Sequence, residues 1–267
     1  GEASYRNNHG LVLDALGRYQ DAVASYLKAV ELRPDFGDAP SNLGTTLMHE
    51  HLVFDFGCCQ EEPRTAADRE MARQAVNVEM LGALRFNPLL VPDNLVQRDV
   101  ALAVKELMPF AAAGGRTVVD AGNATIGRDP LALRAIARAS GLNIIMGAGY
   151  YTDVSLDDGF EARSIQDIAA EIVADIVQGV GHTGVRAGLI GEVGTSSPIT
   201  TREIKSLRAS VRAQRATGAA LMVHPFPWGR EGHRILDIVA EEGGQSDRTI
   251  LCHMNASWFD VPYQTSL

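Results

Sequence analysis

From Thr45 onward, short apolar runs alternate with longer segments in which apolar residues recur at three- and four-residue spacing. The runs predict strands at Thr46–Leu52, Thr117–Ala121, Asn143–Gly147, Gly188–Val193, Ala220–His224 and Thr249–His253. The spaced segments predict amphipathic helices at Leu131–Ser140, Ile165–Val177, Thr201–Thr217 and His233–Glu242, because a 3.6-residue turn gathers such positions on one face. Strand and helix in succession imply a parallel sheet. Short connections, and no glycine-rich dinucleotide fingerprint after the first strand, favour an α/β fold of the (β/α) TIM-barrel type over a doubly wound sheet. The first connection, from His51 to Arg116, is the odd one: it predicts a helix around Ala66–Leu84, a proline-bearing stretch at Asn87–Asp93 and a helix at Leu95–Ala113.

A different period precedes these units. Asn8 recurs as Asn42, Gly10 as Gly44 and Leu13 as Leu47, a spacing of 34 residues. With Gly17, Ala22, Tyr26, Ala29 and Pro34, this stretch resembles a tetratricopeptide repeat and predicts a helical hairpin, Ala3–Leu16 and Tyr19–Leu32, closed by Pro34. One repeat cannot bury its own apolar faces, so it reads as a remnant or a docked cap able to contact a peptide or protein. The pattern thus divides the chain into a hairpin over residues 1–43 and a barrel over 44–267. Gly44–Leu47 fits a repeat helix and a strand equally well by local pattern; strand is favoured because His49 and His51 are useful only there.

Composition narrows the classes. The 267 residues are 46% hydrophobic and 21% charged, with mean hydropathy close to zero, as in ordinary globular proteins. No apolar run approaches the roughly 18–20 residues a bilayer requires, so no membrane span is expected. The net charge of −9 is spread without a basic cluster, which argues against nucleic acid as a partner. The first residues lack an initiator Met and a signal-like pattern, so the chain is expected to begin partway into a longer one. Cys58, Cys59 and Cys252 are odd in number and show no framework spacing, which points to a reducing, cytoplasmic setting. A metal reading of the adjacent Cys58 and Cys59 is disfavoured on the expectation that neighbouring side chains point apart.

Four of the seven histidines, His49, His51, His224 and His253, fall at the carboxyl ends of predicted strands, where a barrel gathers its ligands. His49 and His51 are two apart, so both imidazoles point to the same side of a strand. Neutral imidazole suits zinc and similar ions, and Glu192, ending the fourth strand, supplies a carboxylate to help hold two of them. A lone histidine is more often a satisfied core residue; four with a glutamate on one rim are not readily explained that way.

The segments that carry these residues, Thr46-Leu-Met-His-Glu-His-Leu52, Ala187-Gly-Leu-Ile-Gly-Glu-Val-Gly-Thr-Ser196, Val223-His-Pro225 and Ile250-Leu-Cys-His253, resemble the phosphotriesterase family of the amidohydrolase superfamily. Ile126-Gly-Arg-Asp129 and Gly147-Ala-Gly-Tyr-Tyr151 match its loops after strands two and three. Glu192, where phosphotriesterases proper use a carboxylated lysine, and the Asp55-Phe-Gly-Cys-Cys59 run resemble the phosphotriesterase-related branch. The likeness extends over about residues 44–256.

The resemblance implies two divalent metals, expected to be zinc, with His49 and His51 on one, His224 and His253 on the other, and Glu192 between them. A hydroxide held between the metals would attack a small-molecule amide, lactone or ester, a phosphotriester being less favoured. Asp120 would either accept an imidazole N–H behind a ligand or begin a turn. Tyr150, Tyr151 and Trp228 would line the pocket, or else pack on the rim. Arg128 and Asp129 read as a surface pair or a helix start at Pro130. The family suggests a homodimer. It also has two further strand and helix units, but only Met254–Leu267 follow His253. The family's remaining ligand, an aspartate on its final strand, thus has no counterpart, since Asp260 is not at a strand end. The chain is therefore expected to be metal-competent at best, and slow or inactive. A rival reading is an interaction protein whose repeat docks a peptide beside a vestigial barrel. A single-metal deaminase-like site is disfavoured, because it has no need of Glu192 as a bridge.

Overall fold

The computed structural model describes Lys28 and residues 44–267; the repeat-like hairpin lies outside the described residues. Six strands form one parallel sheet: β1 (Thr45–Glu50), β4 (Gly115–Asp120), β5 (Asn143–Ala148), β6 (Leu189–Gly194), β7 (Leu221–His224) and β8 (Thr249–Leu251), adjacent in that order. β2 (Phe54–Asp55) and β3 (Val96–Gln97) make a small antiparallel pair in the first connection.

Helices cross over between the strands. α3 (Val100–Ala112), α4 (Pro130–Ser140), α5 (Ile165–Val177), α6 (Thr201–Thr217) and α7 (Gly232–Glu241) follow β3, β4, β5, β6 and β7. Their starts are written in side chains: Asp99 and Asp129 accept from backbone N–H groups of α3 and α4, while Ser164 and Thr200 form capping boxes with Asp167 and Glu203. Left-handed Gly141 and Gly218 close α4 and α6. Between sheet and helices lies the main core, with Val118, Ile144, Ile190 and Val223 of the strands packed against Leu133, Ile136, Ile168, Ile172, Leu207 and Ile235 of the helices. Strand alternation sends Val119, Leu189 and Met222 to the opposite face, where they cluster with Ala121 and Cys252. The sheet curls about that second face far enough for His49 of β1 and His253 beyond β8, its two outermost strands, to approach with ring centroids 5.0 Å apart.

Two expectations for the first connection need correction. The single helix over Ala66–Leu84 is broken into α1 (Ala66–Met71) and α2 (Leu81–Phe86), because extended Asn77 caps a new 3-10 turn by accepting from Glu79 N–H at 3.0 Å. The break allows Met80 and Leu84 to bury against Leu90 and Val91 in a small satellite core. The segment expected as helix from Leu95 instead has Leu95 ending a 3-10 turn and Val96–Gln97 forming β3, and α3 starts only after the Asp99 cap. A short helix α8 (Val261–Ser266) ends the chain. Among the described residues, no helix is long and apolar enough to cross a membrane.

Candidate metal centre

Glu192 is the centre of the site. It is 1% exposed and sits where the pairing of β6 with β7 shifts register between Ile190 and Val193. His49 occupies the corresponding irregular step of β1 against β4, between Leu47 and Glu50. Such irregularities re-aim side chains that strict alternation would direct elsewhere. Gly191, with φ +133°, belongs to the same step: a Cβ there would lie 2.3 Å from the Met222 carbonyl oxygen, so only glycine fits.

Four imidazoles surround the carboxylate. Oε2 lies 3.2 Å from His49 Nε2, 3.0 Å from His224 Nδ1 and 3.5 Å from His253 Nε2, while Oε1 lies 3.3 Å from His51 Nε2. His253 Nε2 and His224 Nδ1 are 2.9 Å apart. His253 reaches its place from a left-handed backbone, φ 57°, just past β8 rather than within a strand. Burial works to raise the Glu192 carboxyl, but hydrogen bonds from His224, His253, His49 and His51 together outweigh it and hold the group well below the usual carboxylate range. The His49 imidazole is correspondingly raised, chiefly by its hydrogen bond to Glu192 and against the effect of burial.

These donors fit a metal ion. One ligand atom each from His49, Glu192 and His253 lie within 4.8 Å of one another, and imidazole with carboxylate is the donor set that zinc-like ions take. His51 Nδ1 is buried without a hydrogen-bond partner, so protein atoms alone do not satisfy the ring.

The other expected site residues divide. Tyr151 joins the cluster, with its ring 4.9 Å from that of His224 and its hydroxyl 3.2 Å from His224 Nε2. Burial and the nearby Glu192 charge push its phenol up, so it stays protonated. Tyr150 turns the other way: its hydroxyl donates to Glu171 at 2.6 Å and accepts from Arg163 at 2.7 Å, and its ring packs on Phe160. Consecutive residues leaving β5 diverge, so the pair cannot share one pocket. Trp228 stands exposed on the rim against Phe226.

Asp120 is fully buried, and burial raises its carboxyl. It accepts from Leu52 N–H at 2.8 Å and Gly122 N–H at 3.0 Å, so it holds the ends of β1 and β4 together, and among the described residues it makes no hydrogen bond to an imidazole. Asp129 caps α4 as its sequence position suggested, but Arg128 is no surface residue: it pairs with Asp175 at 2.8 Å and donates to the Gly147 carbonyl at 3.0 Å, with 5% of its side chain exposed. Asp260 caps α8 and pairs with Arg230.

Sequence reasoning missed Asn123 and Phe56. Buried Asn123 donates to the backbone carbonyl of Glu192 at 2.7 Å and accepts from the Thr125 hydroxyl at 3.0 Å. Thr125 in turn accepts from Tyr151 N–H at 2.9 Å, so one polar chain connects Glu192 with the Tyr151 loop. Phe56 packs edge-on against His51 and Tyr151, at 5.2 and 5.6 Å between centroids. An asparagine in the loop after a strand was a signal that could have been followed; Phe56 stands in the Asp55-Phe-Gly-Cys-Cys59 run that carries the resemblance, but no role was assigned to it there.

A curled six-stranded parallel sheet of (β/α) units, with imidazoles and a buried carboxylate gathered at its carboxyl ends, is consistent with the class of TIM-type barrels, which place their ligand-binding groups there. The chain belongs to the phosphotriesterase family, whose profile matches residues 34–266. It is 35% identical over 222 residues to an N-acetyltaurine hydrolase of Tetraodon nigroviridis, covering 83% of this chain and 63% of that protein. It is 36% identical over 224 residues to a phosphotriesterase-related protein of Nematostella vectensis, covering 83% and 64%. Among solved structures, a resiniferatoxin-binding protein from Rhodobacter sphaeroides superposes with a TM-score of 0.82 at 45% identity, over 85% of this chain and 63% of that one. A mutant PTE-like lactonase of Deinococcus radiodurans gives 0.62 at 27%, over 84% and 62%. The chain thus spans somewhat under two thirds of the length of these relatives.

Proposed function

We propose that this chain is the metal-binding part of a hydrolase of the phosphotriesterase-related type, acting on a small-molecule amide, lactone or ester in preference to a phosphotriester. The observation that carries the reading is the engagement of both Glu192 oxygens by imidazoles from opposite edges of the sheet: His51 on Oε1, and His49, His224 and His253 on Oε2. The names of two relatives, an N-acetyltaurine hydrolase and a PTE-like lactonase, support an amide or a lactone as the bond class.

His49 and His51 would hold one divalent ion and His224 and His253 a second, with Glu192 between them; zinc is the ion the donors suit best. Such a pair of ions lowers the pKa of water and polarises the carbonyl under attack. The protein's own contribution is placement. Asn123 restrains the Glu192 backbone, and Asp120 restrains the end of β1 that carries His51. Tyr151, kept protonated beside His224, offers a hydroxyl to orient a substrate oxygen. Phe54 and Phe56 wall His51 from water on the side of the first connection.

Elemental analysis of the purified chain beside a His49→Ala, His51→Ala variant tests this, followed by a hydrolysis screen on amides, lactones and esters. About two equivalents of divalent metal, reduced in the variant, together with turnover of one substrate class, are expected. Metal in neither protein would remove the reading and leave an interaction protein in its place.

A further inference from the structure

By the sequence alone, Cys58 and Cys59 are expected to point apart as neighbouring side chains. They lie instead on a 3-10 turn, Gly57–Cys59, and their side chains approach each other. The two sulfurs are 3.7 Å apart, with Cys58 exposed and Cys59 partly so. The turn packs against Asp153–Ser155, in the loop that carries Tyr151, and follows directly on Phe56, which touches His51 and Tyr151. Its backbone is anchored: Phe56 N–H donates to the Leu95 carbonyl and Gly57 N–H to the Asp55 carboxylate, itself paired with Arg98. Neither sulfur belongs to the histidine cluster.

We propose that Cys58 and Cys59 form a dithiol modification site at the mouth of the metal centre, oxidised by hydroperoxides to an intrachain disulfide between neighbouring residues. In the first step the Cys58 thiolate sulfur attacks a peroxide oxygen; the O–O bond breaks, the sulfur becomes a sulfenic acid, and the departing oxygen takes a proton as water (or an alcohol, from an organic hydroperoxide). In the second, the Cys59 sulfur attacks that of Cys58; the S–O bond breaks, and the leaving hydroxide takes the Cys59 proton as a second water. Two thiols and one peroxide thus give one disulfide. Exposure, thiolate character and a neighbouring thiol able to resolve the sulfenic acid are the features that select a cysteine for this chemistry. Here the hydrogen bond from Cys59 holds the Cys58 thiol near pKa 7, against the opposing charge of Asp55. Cys252 supplies the internal contrast: it is buried, and desolvation pushes its thiol up to about 12.

The test uses the reduced full chain, treated with hydrogen peroxide, alkylated, digested without reductant and read by mass spectrometry, beside a Cys59→Ser variant. The expected product is a single peptide that contains both residues, lacks two hydrogens and is restored by dithiothreitol, in a chain still monomeric toward its own thiols on a non-reducing gel. It should form at least about tenfold faster than any oxidation of Cys252. In the variant, Cys58 should stop at a sulfenic acid that dimedone traps. Alkylation of both thiols after exposure, direct passage of Cys58 to sulfinic acid in the unsubstituted chain, or cross-linked chains in place of the internal bridge would each overturn the proposal.

Discussion

Asn123 and Glu192, 69 residues apart in sequence, are joined by a 2.7 Å hydrogen bond from the Asn123 carboxamide to the Glu192 backbone carbonyl. The bond links the loop after β4 to the step of β6 from which the carboxylate is presented. Replacing Asn123 with Ala leaves that buried carbonyl without its side-chain donor and should cost about 1–3 kcal/mol, read from urea unfolding. Because the carbonyl belongs to the residue that presents the central carboxylate, metal affinity should also fall. A loss of stability with unchanged metal affinity would show that Asn123 only supports the fold.

Proton and metal compete for His49. Its folded pKa is raised by Glu192, so the ring holds its proton to higher pH than a free histidine, and metal must displace that proton. Metal affinity should therefore begin to decline above about pH 6.5 as acid is added, and continue to fall below it. Zinc titrations across that range measure the dependence, beside His49→Ala, whose weaker binding should fall less steeply with acid because one competing imidazole is gone.

Arg128 and Asp175 predict a large stability effect away from the site. Burial raises Asp175 although Arg128 opposes the shift. Removing the guanidinium as Arg128→Met strands a buried carboxylate and should cost about 3–5 kcal/mol at neutral pH. An acid whose folded pKa lies above its unfolded value loses stability as pH rises from the unfolded value through the folded one. The variant raises the folded value further, so its deficit against the parent should shrink as the pH is lowered toward the usual carboxylate range of about 4. Denaturant midpoints of both proteins at several pH values read that convergence.

Gly191 offers a steric test of how Glu192 is aimed. A methyl group at this position would collide with the Met222 carbonyl in a conformation that disfavours side chains. Gly191→Ala should lower both stability and metal stoichiometry, whereas alanine at Gly82, where nothing lies within 4 Å of the added carbon, should leave metal content unchanged. Metal analysis of the two variants separates aim from overall loss of glycine.

Much of the framework was legible because periodicity is local. The helices Ile165–Val177 and Thr201–Thr217 occur with the bounds their apolar spacing predicts, and the six strands of the main sheet fall within a few residues of the apolar runs. Where local pattern competed with distant contacts it failed. The apolar spacing from Ala66 to Leu84 is helical, but Asp93, accepting from Val76 N–H at 2.7 Å, and the Asn77 cap divide it. Tyr150 and Tyr151 were equivalent as neighbours in a loop; only the positions of Arg163, Glu171 and His224 separated them.

The amino-acid sequence by itself determined the alternation of strand and helix, the parallel sheet, and which imidazoles and carboxylate stand near strand ends, since each depends on residue type and short-range spacing. Tertiary structure alone decided that the sheet curls until its outermost strands bring His49 and His253 together, that register shifts aim His49 and Glu192 inward, and that Cys58 meets Cys59. Those outcomes depend on twist, bulges and packing among residues far apart in the chain, which no local spacing records.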